Sequence, residues 1–120
     1  MAMSRDVERE AGLNLVTLRG RVSSEPAARE LPSGTSIVTF RVTVARAKTH
    51  MTGGSKQTSD WVDCVAWAPR PRRTVASWRT GDTVELEGSL RRRFFRSEGG
   101  VPTSRVEVEV LTARVVARAS

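Results

Sequence analysis

The sequence predicts an all-β protein in which five strands form a small barrel, with one short helix between the third and fourth strands. Three observations lead to this prediction. Apolar and polar residues alternate with a period of two in several separate stretches. Pro and Gly residues lie between these stretches, where the chain must turn. One segment, 74–79, instead places Val75 and Trp78 three residues apart, as on one side of a helix.

The first two predicted strands precede a long polar loop. Strand one covers roughly 13–22, and the Pro-Ser-Gly sequence within 31–34 predicts a turn. Strand two covers 37–44, where Val and Phe alternate with Thr and Arg. The following segment, 46–58, has no apolar period and is predicted to be a flexible, basic hairpin loop.

The third predicted strand, 59–67, carries a Trp near each end. Because side chains alternate across a strand, Trp61 and Trp67 share one face with Asp63, whereas Cys64 belongs to a small apolar face that suits a core. Large rings beside charge suit a surface on which nucleic-acid bases stack. The alternative is a strand covered on both sides, which would bury both rings.

The fourth predicted strand, from 83 to about 95, repeats this pattern. Arg91, Arg93 and Phe95 lie in the outward phase, whereas Phe94 falls in the core phase. Guanidinium groups can meet phosphates and the ring of Phe95 can meet a base. The alternative is that Phe95 packs under its own loop or in a subunit contact.

The fifth predicted strand alternates Val with Arg and Glu from 105 to 110 and continues towards position 117. Five strands with a short helix between the third and fourth fit the OB-fold, a partly open Greek-key barrel. An SH3-like barrel or a two-sheet sandwich is the alternative fold.

Length and composition predict a single domain that binds a polyanion. The 120 residues carry a net charge of +7, and only Lys48 and Lys56 of the 20 basic residues are Lys. Residues 1–11 are expected to form a flexible leader ahead of a 12–120 domain. The basic balance favours nucleic acid, although a merely basic protein is the alternative. With a single Cys, no secretory signal and no long apolar run, the expected location is cytoplasmic.

The sequence offers no constellation that predicts catalysis. The single His, His50, lies in a Gly-containing loop without partners for a metal site or a catalytic dyad. No nucleophile–base set, paired carboxylates or phosphate-cradling Gly-rich motif is present. We therefore expect a protein that is not an enzyme, with no catalytic residues, no metal and no cofactor.

Several motifs, taken in order and spacing, resemble the bacterial single-stranded DNA-binding protein (SSB) family. The resemblance extends from Leu13 to about Val116. It rests on an opening strand with an acidic–Pro step (14–26), an Arg ahead of a Pro-Ser-Gly turn (29–34), a Val-Thr-Phe strand (38–40), an acidic-Trp strand ending in an aromatic (60–67) and a Gly-Asp, Glu-Gly, Leu-Arg signature (78–91).

The resemblance implies an OB-fold homotetramer that binds single-stranded DNA with little sequence preference in replication, recombination or repair. By position, the expected stacking residues are Trp61, Trp67 and Phe95. The expected phosphate-binding residues are Arg29, Arg91 and Arg93, together with Lys48 and Lys56 of the basic loop. Two other functions remain open: an OB-fold protein-interaction or replication-restart module, and a single-stranded RNA binder.

Three departures from the family pattern bear on these expectations. Lys48 stands where many members carry a Trp, so one stacking position is missing. Asp63 stands where a basic residue often lies between the two aromatics, and its charge repels phosphate. The family usually continues into a flexible linker and an acidic tip that recruits partners, whereas this sequence stops at Ser120, as in a trimmed chain or a tail-less paralogue. Recruitment through such a tail is therefore not expected.

Overall fold

Five strands form a closed barrel with the order β1-β2-β3-β5-β4. The computed structural model describes residues 12–120, so the predicted leader over 1–11 lies outside the described residues. The predicted five-stranded barrel with one helix between the third and fourth strands is confirmed, and this is the OB-fold arrangement. The elements are β1 (Val16–Glu30), β2 (Ser36–Ala45), β3 (Ser59–Ala66), α1 (Pro69–Ala76), β4 (Thr83–Arg96) and β5 (Pro102–Ala117).

Strand β1 is long enough to join both sides of the barrel. Its first part pairs with β4 up to Arg21, and its second part pairs with β2 from Arg21 to Glu30. The strand was predicted to stop near Val22, but it continues past Pro26 to Glu30. Register shifts on both sides of Ser24 explain the continuation, because an irregular ladder does not need the N–H that Pro lacks.

The barrel closes through one short parallel pairing between β3 and β5. Cys64 lies opposite Val108 and Val65 lies opposite Glu109. All other neighbouring strands pair antiparallel. This closure brings the outer faces of β3, β4 and β5 together on one side of the molecule.

The core is filled by the inward phases of the strands and by one Trp. Phe40 and Trp78 are buried and meet edge to face, with ring centroids 5.3 Å apart and an interplanar angle of 83°. Cys64 is also buried, as predicted, and burial, followed by the charges of Asp63 and Glu107, raises its pKa to about 12. Its thiol is therefore protonated at neutral pH.

The helix begins earlier than the sequence analysis predicted. We expected a helix over 74–79 and took Pro69 and Pro71 to end the third strand, but α1 spans Pro69–Ala76 and begins with these prolines. Pro suits the first helical turn, where no backbone N–H is needed for an intrahelical bond. Trp78 consequently follows the helix instead of lying on it. No helix within residues 12–120 has the length and apolar character to cross a membrane.

The β4–β5 hairpin extends beyond the barrel as a two-stranded ribbon, and this overturns one assignment. Phe94 was predicted to lie in the core, but it is 76% exposed. Leu90 and Val106, which share the phase of Phe94 in the ribbon, are exposed as well. The alternation is present, but no third strand covers either face of the ribbon at this distance from the barrel, so both phases meet solvent.

Candidate nucleic-acid interface

One outer surface of the barrel carries most of the predicted site, and we call it the aromatic–cationic face. Strand register explains why its members meet: Val65 of β3 lies opposite Glu109 of β5, and Glu107 of β5 lies opposite Arg91 of β4. Residues directly opposite each other in a sheet share a face. The face comprises Arg41 of β2; Trp61, Asp63, Val65 and Trp67 in and just after β3; Arg91, Arg93 and Phe95 of β4; and Arg105, Glu107 and Glu109 of β5.

Trp67 stands beside an open cavity of about 410 Å³. Val65 is fully buried and forms part of its floor, and Arg91 and Arg93 line its wall. Trp67 itself is 36% exposed. Glu107 and Glu109 also line this cavity, so its cations lie beside carboxylates. A flat ring next to such a concave surface offers room for a planar group to stack and for its phosphate to meet a guanidinium.

Trp61 is the most exposed of the three Trp residues, with 59% of its surface accessible. The guanidinium of Arg41 lies 4.0 Å from the centroid of its ring, a cation–π contact. Arg41 also donates from Nε to Oδ1 of Asp63 at 3.2 Å. The acidic residue that the sequence analysis expected to repel phosphate is therefore paired with a cation across the strands.

Phe95 is half-buried and is contacted by two cations. The guanidinium carbons of Arg93 and Arg105 are 5.3 Å and 5.6 Å from its ring centroid. The ring thus remains near cationic groups on the same face as the two Trp residues. Phe94, which is more exposed, points to the opposite face of the ribbon.

Two of the predicted phosphate-binding residues are held by carboxylates of β5. Arg91 contacts Glu109 at 3.1 Å, and both side chains are partly open to solvent. Such exposed pairs contribute at most about 1 kcal/mol, so a phosphate can replace Glu109 as the partner of Arg91 at small cost. Arg93 donates to Glu107 from Nε at 2.7 Å and from Nη2 at 3.3 Å. Glu107 is buried, so breaking this pair would leave a buried carboxylate without its partner, and the pair is therefore held more firmly than the first. The hydrogen bond with Glu107 also raises the pKa of Arg93.

The predicted basic loop lies beyond the Trp61 end of β3. Lys48 and Lys56 are both exposed in it and make no ion pair within residues 12–120. The base of the loop is fixed because Arg46 donates to both carboxylate oxygens of Asp60 at 2.8 Å. That hydrogen bond from Arg46 is the main reason why the pKa of Asp60 is lowered.

Arg29 lies at the opposite end of the barrel from this loop. It pairs with Ile37 near the end of β1, one register step from the pairing of Val38 with Ala66. Its side chain is exposed and has no ion-pair partner in the described part of the chain. The predicted cations therefore lie towards both ends of β3.

Two cations that contact the rings, Arg41 and Arg105, are not among the predicted site residues. Arg105 lies directly opposite Arg93, and this pairing could have been obtained by counting along both strands from the turn that Gly99-Gly100 indicates. Arg41 lies opposite Asp63, but the long loop between β2 and β3 gave no register, so the sequence contained no signal for it. Within residues 12–120, no three His, Cys, Asp or Glu side chains cluster as metal ligands would.

The closed five-stranded barrel, which carries aromatic rings among guanidinium groups on one open face, is an OB-fold. Residues 13–116 match the Single-strand binding protein family, and the chain belongs to that family. It is 28% identical over 97 residues to single-stranded DNA-binding protein A of Bacillus subtilis, covering 81% of this chain and 55% of that protein. It is 30% identical over 105 residues to single-stranded DNA-binding protein 3 of Listeria innocua, covering 87% and 62%.

A solved structure shows the same fold. The chain aligns with a Plasmodium falciparum SSB in complex with ssDNA with a TM-score of 0.67 at 24% identity, covering 88% of this chain and 95% of that one. The chain spans about half the length of the curated relatives it matches, with coverages of 55%, 53% and 54% for three of them.

Proposed function

We propose that this chain binds single-stranded DNA along the aromatic–cationic face, without catalysis and with little preference for sequence. It would protect the strand in replication, recombination or repair, in the cytoplasm and in association with the nucleoid, where that ligand is found. Membership of the Single-strand binding protein family supports this proposal.

The observation that carries the proposal is the exposure of Trp61 beside cations. A ring that is 59% accessible in a folded chain leaves apolar surface in water unless a ligand covers it. Stacking of a base on such a ring contributes about 1–3 kcal/mol, largely independent of which base it is. Arg91 and the exposed Lys48 and Lys56 supply phosphate contacts whose strength falls with salt.

We further propose that the chain acts as a homo-oligomer, with the tetramer implied by the family resemblance. The support is a set of exposed apolar side chains on the other face of the ribbon, where Leu90, Phe94 and Val106 lie. Asn14 attaches the segment carrying the exposed Leu13 to this region, because its Nδ2 donates to the Leu90 carbonyl at 2.7 Å. Exposed apolar surface of this kind is typical of subunit contacts.

One experiment tests both proposals: the light-scattering mass of the protein, measured alone and with a long dT oligomer. We expect a mass above that of one 13.2 kDa chain, and a further increase with dT. Titrating salt should weaken the complex with a log–log slope of about −0.7 for each phosphate neutralised. Tryptophan fluorescence, recorded in parallel, should be quenched by dT because the exposed rings stack.

The competing functions predict different results. Equal or stronger competition by a matched rU oligomer would favour the RNA-binding alternative. An oligomer whose mass and fluorescence do not respond to dT would contradict DNA binding and favour a protein-interaction module whose aromatic residues fill subunit contacts. A monomer that binds dT would contradict the assembly proposal alone.

A further inference from the structure

We propose that Asp63 is a positioning residue for DNA binding: it holds Arg41 flat on one face of Trp61, so that a base stacks on the other. The inference rests on the proposed function. It assigns a role to two residues that are neither stacking groups nor predicted phosphate contacts. In the complex, the ring of Trp61 would lie between a guanidinium and a nucleobase.

The geometry of the three side chains carries this proposal. Arg41 and Asp63 are direct cross-strand neighbours on β2 and β3, and Trp61 is two residues before Asp63 on the same face. The guanidinium is therefore held at two points: its Nε donates to Asp63 at 3.2 Å, and its carbon lies 4.0 Å from the ring centroid. A guanidinium carbon at this distance from the ring centroid is well within the range of a cation–π contact with that face of the ring.

Exposure shows which face remains for a ligand. Trp61 is 59% exposed although Arg41 covers part of it, so the face away from Arg41 is open. Phe95 differs, since two guanidinium groups approach its ring and it is half-buried. Among the three predicted stacking rings, Trp61 is thus the one with a cation held in place by a carboxylate and with a free side.

Pairing also makes the charge of this site nearly neutral. Arg41 is permanently positive and Asp63 offsets it at contact distance, so the pair offers little net attraction to phosphate. Asp63 then contributes through the orientation of Trp61 and not through charge. This separates it from a carboxylate that merely weakens binding.

The first test follows the Arg41 Nε–H by NMR, without and with a short dT oligomer. Its signal should lie away from the ordinary Arg position in the free protein, because the guanidinium carbon is 4.0 Å from the centroid of Trp61 and Nε donates to Asp63. If the base takes the open face, the signal keeps its free-protein position on binding while the indole N–H of Trp61 shifts. If dT binds and the Arg41 signal returns to its ordinary position, a base has displaced the guanidinium and the inference is wrong, although the proposed function stands. Absence of any dT binding would overturn both.

The second test compares two matched carboxylate truncations, Asp63→Ala and Glu109→Ala. The side chains are 20% and 24% exposed, and each accepts a hydrogen bond from an Arg Nε, at 3.2 Å and 3.1 Å. Loss of either negative charge should by itself tighten DNA binding. No cation–π contact involves Arg91, however, so only Asp63→Ala disorders a ring–cation pair.

At about 0.5 M salt, where exposed charges are largely screened, we expect Asp63→Ala to bind dT about threefold or more weakly than Glu109→Ala, as for partial loss of one stacked base. The Arg41 signal should return to its ordinary position in Asp63→Ala only, and Asp63→Glu should restore both readouts. Equal affinities of the two Ala variants, or an unmoved Arg41 signal, would overturn the positioning role.

Discussion

The substitution Trp61→Ala is expected to weaken binding of a short dT oligomer by about tenfold or more, because one stacked base is worth about 1–3 kcal/mol. The fold should survive, since Trp61 is 59% exposed and contributes nothing to the buried core. The measurement is a fluorescence-anisotropy titration of labelled dT, with far-UV circular dichroism to confirm folding. A folded variant with unchanged affinity would contradict stacking on Trp61.

Phe94→Ala provides the matched control for this variant. The side chain is 76% exposed, more than that of Trp61, and lies on the opposite face of the β4–β5 ribbon. Its removal should leave the affinity for an oligomer short enough to contact one subunit within about twofold of the parent. An equal loss of affinity in both variants would mean that DNA does not distinguish the two faces.

Gly88→Ala is expected to produce the largest loss of stability, about 3 kcal/mol or more in the free energy of unfolding. A Cβ at this position would collide with the carbonyl oxygen of Glu109 and lie 2.9 Å from its carbonyl carbon. Both groups are backbone in the β4–β5 ladder, next to the register shift between Glu87 and Gly88. Relief would require moving a strand that also pairs with β3, so the clash cannot be removed locally.

Urea unfolding of the variant and the parent measures this loss of stability, provided that both proteins unfold with the same m-value. Gly54→Ala is the control, because a Cβ there meets no atom within 4 Å and the residue lies in the β2–β3 loop. It should change stability by less than about 1 kcal/mol, with stabilisation possible through the unfolded chain. If Gly88→Ala remained as stable as Gly54→Ala, this result would contradict the close approach of Gly88 to the backbone of Glu109.

The sequence was sufficient for the strands whose surroundings match their local pattern. Strand β2 spans Ser36–Ala45 against a prediction of 37–44, and its inward Val38, Phe40 and Val42 are buried whereas Arg41 on the other face is exposed. Strand β3 spans Ser59–Ala66 against 59–67, although both faces are covered near its end, where Cys64 and Val65 are buried. Alternation reports burial reliably where the sheet has one covered face.

The errors arose where tertiary context decides. Phe94 has the phase of a core residue, yet the ribbon that carries it leaves the barrel, and no local pattern shows where covering strands end. The restricted backbone of Pro69 and Pro71 can end a strand, as predicted, or begin a helix, as observed. Which of these occurs depends on the residues that pack against the buried Val75, and those residues are distant in the sequence.

Part of the candidate site followed from the sequence and part did not. Phase alone placed Trp61 and Trp67 on one strand face, and register in the structure then brings Arg91 beside Trp67. Arg41 required knowledge of which residue of β2 faces Asp63 across a long loop. Side-chain chemistry was therefore predictable strand by strand, whereas contacts between strands required the structure.

The central claim is that single-stranded DNA lies on the aromatic–cationic face, and photo-cross-linking tests it most directly. A dT oligomer containing 5-iodouracil, which couples to aromatic rings that it stacks upon, is irradiated with the protein, and the attached peptides are identified by mass spectrometry. We predict attachment at Trp61, Trp67 and Phe95. Fragmentation of the attached peptides separates Phe94 from Phe95, and attachment at Phe94 with none at Trp61, Trp67 or Phe95 would contradict the claim.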